Sequence, residues 1–471
     1  MTNLSIKERM AIKRVKMITQ DAKERACNFR EVNQGLTPEL AMEEANRCLV
    51  CRNKPCMEGC PVGVHIPEFL TAIALGDFQE AAKILRVDNA LPATTGRVCP
   101  QEVQCEGVCI RGKKGEPVAI GFLERWVADW AAEHMPREQP PTNQAGFRVA
   151  VVGSGPGGLT TAGELARMGH KVHVFEALHD TGGVLRYGIP EFRLPKTIVD
   201  REVENLRALG VTIECNVIIG RTLTVNEIAD EFDAVFIANG AGLPMFLNVP
   251  GENFKGVYSA NEYLTRVNLM GAWMDVEGGT PIARGETVVV FGAGNVAMDS
   301  VRTAKRMGAA HAICAYRRTR AEMPARMEEI EHAEEEGIDF QFLVAPLEIL
   351  GDEKGWVRAV KLQKMELGEP DSSGRRRPVP IAGSEYELPC HIVVVALGTT
   401  ANPLLTNTTP ALKLNKWKNI VVDELQATSM EGVFAGGDIV RGGATVILAM
   451  GDGKVAAHGI DEYLKTRTPK Q

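Results

Sequence analysis

The stretch Val149-Ala-Val-Val-Gly153-Ser-Gly155-Pro156-Gly-Gly158 constrains the fold of this chain more than any other. It predicts a buried strand, a glycine turn and the start of a helix. Gly153 permits the tight turn, Gly155 lets the backbone approach a pyrophosphate, and Gly158 lets the helix pack close to the strand. Glu176 ends the next predicted strand, where a carboxylate can accept hydrogen bonds from an adenosine ribose. The stretch therefore predicts a dinucleotide-binding unit with contacts from Gly153, Gly155, Pro156, Gly158 and Glu176.

The same pattern recurs at Thr287-Val-Val-Val-Phe-Gly292-Ala-Gly294-Asn295, where a second strand runs into a phosphate-binding turn. The strand after this turn ends in Arg317 and Arg318 rather than in an acid. A carboxylate at this position favours a free ribose hydroxyl, whereas guanidinium groups suit a 2′-phosphate through paired, charge-assisted hydrogen bonds. The first unit is therefore predicted to bind FAD, or NAD, and the second to bind NADP(H). The alternative is that both arginines are ordinary surface charge.

A third glycine-rich segment lies near the C-terminus, at Gly432-Val-Phe-Ala-Gly436-Gly437-Asp438. A strand that ends in Gly437-Asp438 can place a carboxylate on the ribityl chain of a flavin. The helix that starts near Thr445 then points its N-terminus at the flavin ring or phosphates. In this interpretation the segment completes the first unit, and the NADP(H) unit is inserted within it. The alternative is a plain turn with Asp438 as a helix cap.

The size and composition of the chain bound its class. A length of 471 residues predicts roughly two to four domains, and the net charge of −7 gives no reason to expect nucleic acid as a partner. No apolar run approaches the roughly 20 residues of a membrane span. The N-terminal residues are mixed in charge and lack the apolar core of a secretory signal. We therefore expect a cytoplasmic protein without a membrane span.

Seven of the eleven cysteines lie between positions 48 and 109, which indicates a metal site because disulfides are rare in a reducing compartment. The run Cys48-x2-Cys51-x4-Cys56-x3-Cys60-Pro is similar to the ligand run of two-cluster ferredoxins, in which the fourth cysteine serves the other cluster. Three more thiols come from Cys99, Cys105 and Cys109. Two four-iron clusters need eight ligands, so one ligand must be another residue.

The alternative for these cysteines is a pair of zinc sites, with His65 making up the number of ligands. Iron–sulfur chemistry is favoured, because a chain of redox centres explains why this module precedes a flavin unit and a nicotinamide unit. The remaining cysteines have no partner spacing and are expected to be packed thiols: Cys27, Cys215, Cys314 and Cys390.

The predicted organisation has three domains and a linker. Residues 1–135 are expected to form a small all-α iron–sulfur domain, since apolar residues recur at helical spacing. A proline-rich linker follows at 136–146. The rest is predicted to be α/β, with two Rossmann-like dinucleotide-binding domains: 147–260 for the first part of the FAD domain, 261–393 for an inserted NADPH domain, and 394–471 for the second part of the FAD domain.

These motifs and their flanking residues carry a resemblance that covers most of the chain. They are RCLVC, GCPVGVHIPEF, GRVCPQEVQCEGVC, VVGSGPGGL, GGVLRYGIPEFRLPK, FGAGNVAMD, YRRTRAEMPA, ALGTTANP and GVFAGGDIVRGGATV. The set is similar to the small (β) subunit of bacterial NADPH-dependent glutamate synthase. It is equally similar to the large subunit of electron-bifurcating NADH-dependent ferredoxin:NADP oxidoreductase, and the N-terminal half of dihydropyrimidine dehydrogenase shares the pattern.

The resemblance implies two [4Fe-4S] clusters in the helical domain. One would be bound by Cys48, Cys51, Cys56 and Cys109, and the other by Cys60, Cys99, Cys105 and one residue that is not a cysteine. Relatives place Gln or Glu after an Ile-Gly-x-Leu stretch, and the sequence Ile120-Gly-Phe-Leu puts Glu124 there. Glu124 would then be the eighth ligand. The alternative is an ordinary residue on a helix surface.

The resemblance also implies positions for the flavin and nicotinamide contacts. Gly183, Leu185 and Arg186 would lie along the flavin, with Asp438 and Thr445 opposite. NADPH would be held by Gly292, Gly294, Asn295, Arg317 and Arg318. Since hydride transfer from NADPH to a flavin depends on stacking and orientation, no catalytic acid–base pair is expected.

Three hypotheses for function follow. The first is a flavin and iron–sulfur oxidoreductase subunit of the electron-bifurcating type, which moves electrons between NADP(H), FAD, two clusters and a smaller flavin/iron–sulfur partner subunit. The compact arm before Cys48 favours this branch, and ferredoxin is a further candidate partner. The second is the small subunit of NADPH-dependent glutamate synthase, which would deliver electrons to a large subunit for 2-oxoglutarate amination. The third is a non-catalytic, zinc-bearing scaffold that binds nucleotides.

Overall fold

The computed structural model describes residues 4–143, 145–274, 279–371 and 374–470. Gln144 in the predicted linker, together with residues 275–278, 372 and 373 in the predicted NADPH domain, lies outside the described residues. The N-terminal region is mainly helical. The rest of the chain forms two parallel sheets with flanking helices, followed in the second unit by an antiparallel sheet.

The N-terminal region consists of short helices around one apolar core. The helices are α1 (Ile6–Ala11), α2 (Ala22–Arg25), α3 (Pro38–Ala45), α4 (Pro55–Glu58), α5 (Ile66–Ala74), α6 (Phe78–Asp88), α7 (Pro92–Val98) and α8 (Ile120–His134). A short antiparallel pair, β1 (Ile18–Thr19) and β2 (Asn33–Gly35), precedes α3. Gly76, with a left-handed φ of 78°, separates α5 from α6.

Local signals set where these helices begin. The Thr37 hydroxyl accepts a hydrogen bond from the Leu40 N–H at 3.4 Å, so Thr37 caps α3 in the way that threonine commonly does. Asp77 caps α6 in the same way, through the Glu80 N–H at 3.0 Å. Burial of the apolar faces of α5, α6 and α8 then holds the helices together, with Phe69, Leu70, Ile73, Leu85 and Leu123 in the centre of the core.

The first dinucleotide unit follows the helical region. Its elements are β3 (Arg148–Val152), α9 (Pro156–Arg167), β4 (Lys171–Phe175), α10 (Val184–Tyr187), α11 (Lys196–Ala208), β5 (Thr212–Glu214), α12 (Val225–Glu231), β6 (Ala234–Ile237) and the short β7 (Leu243–Pro244). The second unit then contributes β8 (Val257–Ser259), α13 (Ala260–Asn268), β9 (Thr287–Phe291), α14 (Asn295–Arg306), β10 (His311–Tyr316), α15 (Met327–Glu335) and β11 (Asp339–Phe342).

An antiparallel layer and the C-terminal segment complete the chain. The layer is β12 (Val344–Gly351), β13 (Val357–Pro370), β14 (Arg376–Pro380) and β15 (Tyr386–Pro389), and β16 (Ile392–Val395) returns to the second unit. The C-terminal elements are β17 (Thr399–Thr400), α16 (Pro403–Thr408), β18 (Val433–Ala435), α17 (Asp438–Arg441) and α18 (Val446–Lys465). The antiparallel layer was not predicted from the sequence. Its apolar face packs under the second parallel sheet, where Val360 and Leu362 lie in one core with Val289.

Strand order shows how the two units are connected. The first sheet runs β18-β6-β3-β4-β5 and the second runs β11-β10-β9-β16-β8, all parallel. Because β18 pairs with β6 after the whole second sheet has intervened, the predicted insertion of one unit within the other is confirmed. The second sheet takes its first strand at Val257, ahead of the boundary predicted at residue 261. Among the described residues, no helix combines the length and apolarity that a membrane crossing requires.

Candidate functional site

The turn after β3 has the geometry that the sequence predicts. Gly153 has a φ of 101°, and a Cβ there would lie 2.6 Å from the Ala238 carbonyl oxygen. A Cβ on Gly158 would lie 1.9 Å from the Gly153 carbonyl oxygen, so the helix can approach the strand only with glycine. A Cβ on Gly155 would instead meet nothing within 4 Å. Open space in front of Gly155, at the N-terminus of α9, fits the pyrophosphate of a dinucleotide.

Glu176 lies at the end of β4 and is buried. Its Oε2 accepts hydrogen bonds from the Ser154 backbone N–H at 2.8 Å and from the Ser154 hydroxyl, and its Oε1 accepts one from the Leu178 N–H at 2.9 Å. Glu176 therefore fixes the conformation of the phosphate turn. Its contact with a ribose stays a prediction.

The loop that carries Gly183, Leu185 and Arg186 closes on the same turn. Gly183 has a φ of 52°, and a Cβ there would lie 2.9 Å from the Gly155 Cα. Leu185 is buried. The Arg186 guanidinium donates to the Thr181 carbonyl at 2.8 Å and pairs with Asp180 and Asp200, so its charge is already matched by carboxylates. Arg186 thus holds the loop, and its predicted flavin contact is untested.

The C-terminal segment joins this site through α18. Thr445 caps α18 by accepting a hydrogen bond from the Leu448 N–H at 3.3 Å. A Cβ on Gly453 of α18 would lie 2.5 Å from the Gly157 carbonyl oxygen, so α18 crosses α9 in close contact. Gly437 has a φ of 73° and precedes Asp438, whose pKa burial raises to about 6. The structure therefore brings Asp438 and Thr445 to the first unit, as predicted.

The second unit has the same kind of glycine turn, and its two predicted contacts Arg317 and Arg318 lie in different environments. Gly292 has a φ of 132°, and a Cβ there would lie 2.4 Å from the Ala396 carbonyl oxygen. Gly294 precedes α14, and Asn295 is its first residue. Arg317 is exposed and makes no hydrogen bond or ion pair with the described residues. Arg318 is buried and pairs with Asp371 at 2.7 Å. Of these two arginines, Arg317 is the one without a partner among the described residues, and the contact of either with a 2′-phosphate stays a prediction.

Four cysteines form an outer cysteine group around one cavity: Cys48, Cys51, Cys56 and Cys109. The other lining residues are mainly apolar and include Ile66, Leu70 and Val118. Burial and the neighbouring thiols raise the pKa of Cys48 to about 11 and that of Cys56 to about 12. Four thiols converging on one apolar cavity fit a four-iron cluster.

Four more side chains form an inner cysteine group: Cys60, Cys99, Cys105 and Glu124. Burial raises the pKa of the Cys99 and Cys105 thiols, and Glu124 and Cys60 act on both in the same direction. The pKa of the Cys60 thiol is likewise raised by burial and then by Glu124. All four members therefore lie within electrostatic range of one another, three of them buried.

Glu124 is held inside the protein rather than on a helix surface. Its Oε1 accepts hydrogen bonds from the Asn89 amide at 2.9 Å and from the Thr95 hydroxyl, and burial raises its pKa to about 7. No hydrogen bond reaches its Oε2 from the described residues. One oxygen is thus fixed by α7 and its neighbours, and the other is available for a metal.

The Nδ1 of His65, the residue that the zinc alternative adds to the cysteines, lies 2.6 Å from the Asp88 carboxylate. Among the described residues, no three His, Cys, Asp or Glu side chains converge closely enough to hold a single metal ion. Of the remaining cysteines, Cys314 and Cys390 are packed thiols as expected, whereas Cys27 is exposed and Cys215 is half-buried, so the expectation was wrong for Cys27.

The comparisons with known proteins identify the same two kinds of domain. Residues 25–136 match the family described as dihydropyrimidine dehydrogenase domain II, 4Fe-4S cluster, and residues 147–453 match the pyridine nucleotide-disulphide oxidoreductase family. The glutamate synthase (NADPH) small chain of Azospirillum brasilense is 38% identical over 453 residues, which cover 95% of this chain and 94% of that one. The chain belongs to the glutamate synthase small-chain family.

Members and relatives of this family differ in length. The NADP(+)-dependent formate dehydrogenase subunit beta of Moorella thermoacetica is 40% identical over 439 residues, which cover 88% of this chain and 60% of that one. The structure of Mycobacterium tuberculosis FprA in complex with NADPH has a TM-score of 0.58 at 21% identity, over 68% of this chain and 85% of that one. That likeness shows the two-domain fold alone.

Family membership confirms the predicted chemistry at the level of cofactors. The chain is an NADPH-dependent oxidoreductase, and its cofactors are FAD, NADP(H) and two [4Fe-4S] clusters. The zinc-bearing scaffold is therefore wrong. The roles assigned to individual residues stay predictions.

Sequence reasoning missed the residues that join the three parts. Lys454 of α18 donates to the Val62 carbonyl at 3.0 Å and to the Asp88 carbonyl at 3.1 Å, which ties the flavin unit to the inner cysteine group. Arg326 of the second unit donates to the Arg97 carbonyl at 2.9 Å. These contacts link positions more than two hundred residues apart, so they cannot be predicted from the local spacing of residues in the sequence.

Proposed function

We propose that this chain is the NADP(H)-handling subunit of a larger flavin and iron–sulfur enzyme. Electrons would pass between NADP(H), FAD, the inner cysteine group and the outer cysteine group on the way to or from a partner subunit. The observation that supports this order is the packing of the inner group on α18. A Cβ on Gly451 of α18 would lie 2.9 Å from the carbonyl oxygen of Pro61, the residue after Cys60.

The position of each group supports the same order. Helix α18 begins beside Thr445, a predicted flavin contact, so the inner group adjoins the flavin unit. The outer group lies nearer to solvent, because Cys51, Cys56 and Cys109 are only half-buried. A partner protein can therefore approach the outer group more closely than the inner one.

When bound, FAD supplies hydride exchange with NADPH and single-electron exchange with the clusters. The residues of the chain bind, orient and shield. The N-terminus of α9 favours the negative pyrophosphate, and Glu176 holds the turn that presents it. Thiolates are the form that binds iron, and binding therefore has to overcome the raised pKa of the buried thiols.

Arg317 is proposed to select the 2′-phosphate, because the guanidinium of Arg318 is committed to Asp371. Loss of a charge-assisted contact costs about 1.5–3 kcal/mol, so we expect Arg317→Ala to raise the KM for NADPH about 10- to 100-fold. Arg320, exposed on the same segment and paired with Glu334, gives a matched control in Arg320→Ala. Steady-state kinetics with NADPH and an artificial acceptor measure the effect. An equal KM in both variants would contradict the assignment.

We propose further that the complex is of the ferredoxin-linked, electron-bifurcating type, with a smaller flavin and iron–sulfur subunit as partner. The support is the resemblance of the compact arm before Cys48 to that branch. In the structure the arm spans two domains, since Arg9 donates to the Cys48 carbonyl at 2.9 Å and Arg25 pairs with Glu335 at 2.5 Å.

A second candidate is the small subunit of NADPH-dependent glutamate synthase, whose partner would be the glutamate synthase large subunit. Alignment with nearly the whole of a glutamate synthase small chain, at 38% identity, supports this candidate. The chain spans 94% of the Azospirillum brasilense small chain but only 60% of the formate dehydrogenase subunit.

Anaerobic affinity purification of the tagged chain from its native host, with partners identified by mass spectrometry, separates the candidates. A smaller flavin and iron–sulfur partner that reacts with NADH would support the bifurcating type. A partner several times the size of this chain, with an amidotransferase nucleophile, would support glutamate synthase and exclude the first candidate. Recovery of the chain alone would contradict the proposal of a larger enzyme.

A further inference from the structure

Arg326 lies in the nucleotide-binding unit but reaches the inner cysteine group. It is the residue just before α15, and its backbone N–H donates to the Asn295 Oδ1 at 2.9 Å. Its guanidinium donates through Nη1 to the Arg97 carbonyl at 2.9 Å and through Nη2 to the Gln101 Oε1 at 3.0 Å. Arg97 and Gln101 flank Cys99 at two residues on either side. Arg326 thus forms hydrogen bonds on both sides of Cys99 in the sequence.

The charge of Arg326 is buried in this position. The residue is 7% exposed, and its Nε has no hydrogen-bond partner in the described part of the chain. Two carboxylates lie near the guanidinium, Glu328 at 3.0 Å and Glu102 at 3.7 Å, and both are partly exposed to water. The guanidinium is therefore the most deeply buried of these three charges, and it lies on the side of Cys99.

Helix α15 gives Arg326 a rigid base. Glu329 of this helix pairs with Arg193 of the first unit at 3.0 Å, and Glu336 at its C-terminal end pairs with Arg302 at 2.7 Å. Arg25 of the N-terminal arm pairs with Glu335 and Glu336. Residues from all three parts of the chain therefore hold α15, and Arg326 does not behave as a mobile surface arm.

We propose that Arg326 is a positioning residue that joins the nucleotide turn to the cluster of the inner cysteine group, raises the reduction potential of that cluster and makes it respond to nucleotide. A reduced cluster carries more negative charge, so a buried cation beside it stabilises the reduced form. Asn295 belongs to the predicted NADP(H) contacts, and its Oδ1 holds the Arg326 backbone. By linkage, nucleotide binding and cluster reduction then affect one another. The inference rests on the proposed function, in which Cys99 is a cluster ligand.

The test is an anaerobic redox titration of both clusters, followed by electron paramagnetic resonance, in the full chain with and without NADP⁺. In Arg326→Gln we expect one signal to show about a tenfold lower ratio of reduced to oxidised cluster at a fixed potential, which is about 59 mV for a one-electron couple. The other signal should not change. Arg326→Lys keeps the positive charge but not the paired hydrogen bonds of the guanidinium, and its cluster potential should return most of the way to the wild-type value. Arg320→Gln, on the same segment but exposed, should match the wild type.

NADP⁺ should shift the same signal in the wild type and leave it unshifted in Arg326→Gln. Unchanged cluster midpoint potentials in Arg326→Gln would overturn the inference. So would wild-type midpoint potentials that are the same with and without NADP⁺. If Arg326→Gln fails to assemble, the effect of NADP⁺ is measured in Arg326→Lys alone. A shift of the cluster signal by NADP⁺ equal to that of the wild type would then count against the two hydrogen bonds of the guanidinium to Arg97 and Gln101. Iron analysis of Cys99→Ser distinguishes a failure of this inference from a failure of the proposed function. A full iron content in that variant would show that Cys99 is not a cluster ligand, independently of the result for Arg326.

Discussion

The outer and inner cysteine groups differ in how the chain builds them. Most of the outer group comes from one short run, closed by Cys109, and its cavity is lined by apolar side chains and lies near solvent. The inner group draws on three separate segments, which carry Cys60, Cys99 with Cys105, and Glu124, and it is surrounded by polar side chains from α7, its neighbouring residues and the second unit. Asn89, Thr95 and Gln101 all form hydrogen bonds there. The outer group is therefore suited to exchange with a partner, and the inner group connects the domains.

The largest expected effect compares one thiol from each group. Cys99→Ser and Cys51→Ser should each lose about half of the roughly eight irons of two four-iron clusters. Cys99→Ser should also lower the thermal midpoint much further, because metal binding at a site built from several segments contributes folding free energy. Iron and sulfide analysis with differential scanning calorimetry measures both. Equal midpoints in the two variants would remove the distinction between the groups.

Removal of iron by a chelator tests the difference in access. The half-buried thiols of the outer group predict fast release of about half of the iron, followed by slow release from the inner group. A chromogenic iron chelator follows both phases anaerobically. Cys51→Ser serves as the control, since it should lack the fast phase. Release of iron in a single phase from the wild type would contradict the conclusion that the outer cysteine group lies nearer to solvent than the inner one.

A smaller effect is expected when Glu124 loses one of its hydrogen bonds. Thr95→Val removes the hydroxyl that donates to the Glu124 carboxylate, and partners of metal ligands typically contribute 10- to 100-fold in affinity. We expect the slow phase of iron release to accelerate by about that factor. Thr94→Val is the matched control, because the Thr94 hydroxyl is buried and has no hydrogen-bond partner in the part of the chain that the structure describes. The same acceleration in both variants would mean that packing, and not the hydrogen bond, is responsible.

The smallest effect concerns the join between α11 and α7. Glu202 accepts hydrogen bonds from the N–H groups of Ala93 at 2.8 Å and Thr94 at 3.2 Å, and burial raises its pKa from 4.5 to about 8. A raised pKa means that the native state binds the proton more tightly, so stability falls as pH rises from about 4.5 to 8. Glu202→Gln should therefore flatten the decline of the thermal midpoint over this range.

Exposed Glu204 on the same helix provides the control for that measurement. Glu204→Gln should follow the wild-type pH profile, because its side chain is 40% exposed. If both variants flatten the profile equally, the pH dependence does not come from the buried carboxyl.

The local parts of the fold and site could be predicted from the sequence. The glycine turns at Gly153 and Gly292 follow from steric need, and a Cβ at either position would strike a carbonyl oxygen. Helix caps such as Thr37 depend on neighbours in the chain. The division of the cysteines into two groups came from the family resemblance, because spacing alone cannot show that Cys109 folds back on Cys48.

The contacts between domains could not be predicted. Arg318 and Arg326 stand in one arginine-rich segment, and sequence gives no sign that one pairs with Asp371 while the other reaches Gln101. Both outcomes depend on which domain packs against that segment. The N-terminal arm was expected to belong to the all-α domain, but nothing in the sequence shows that Arg25 is buried against α15, more than three hundred residues away. Such long-range pairing is decided by tertiary packing.

The most direct measurement for the central claim is the iron and acid-labile sulfide content of Glu124→Ala, beside Glu124→Gln and the wild type. If Glu124 completes the inner cysteine group, the wild type holds about eight irons, Glu124→Ala about four with the outer signal intact, and Glu124→Gln close to the wild-type value. A full complement of about eight irons and two unchanged cluster signals in Glu124→Ala would contradict the account.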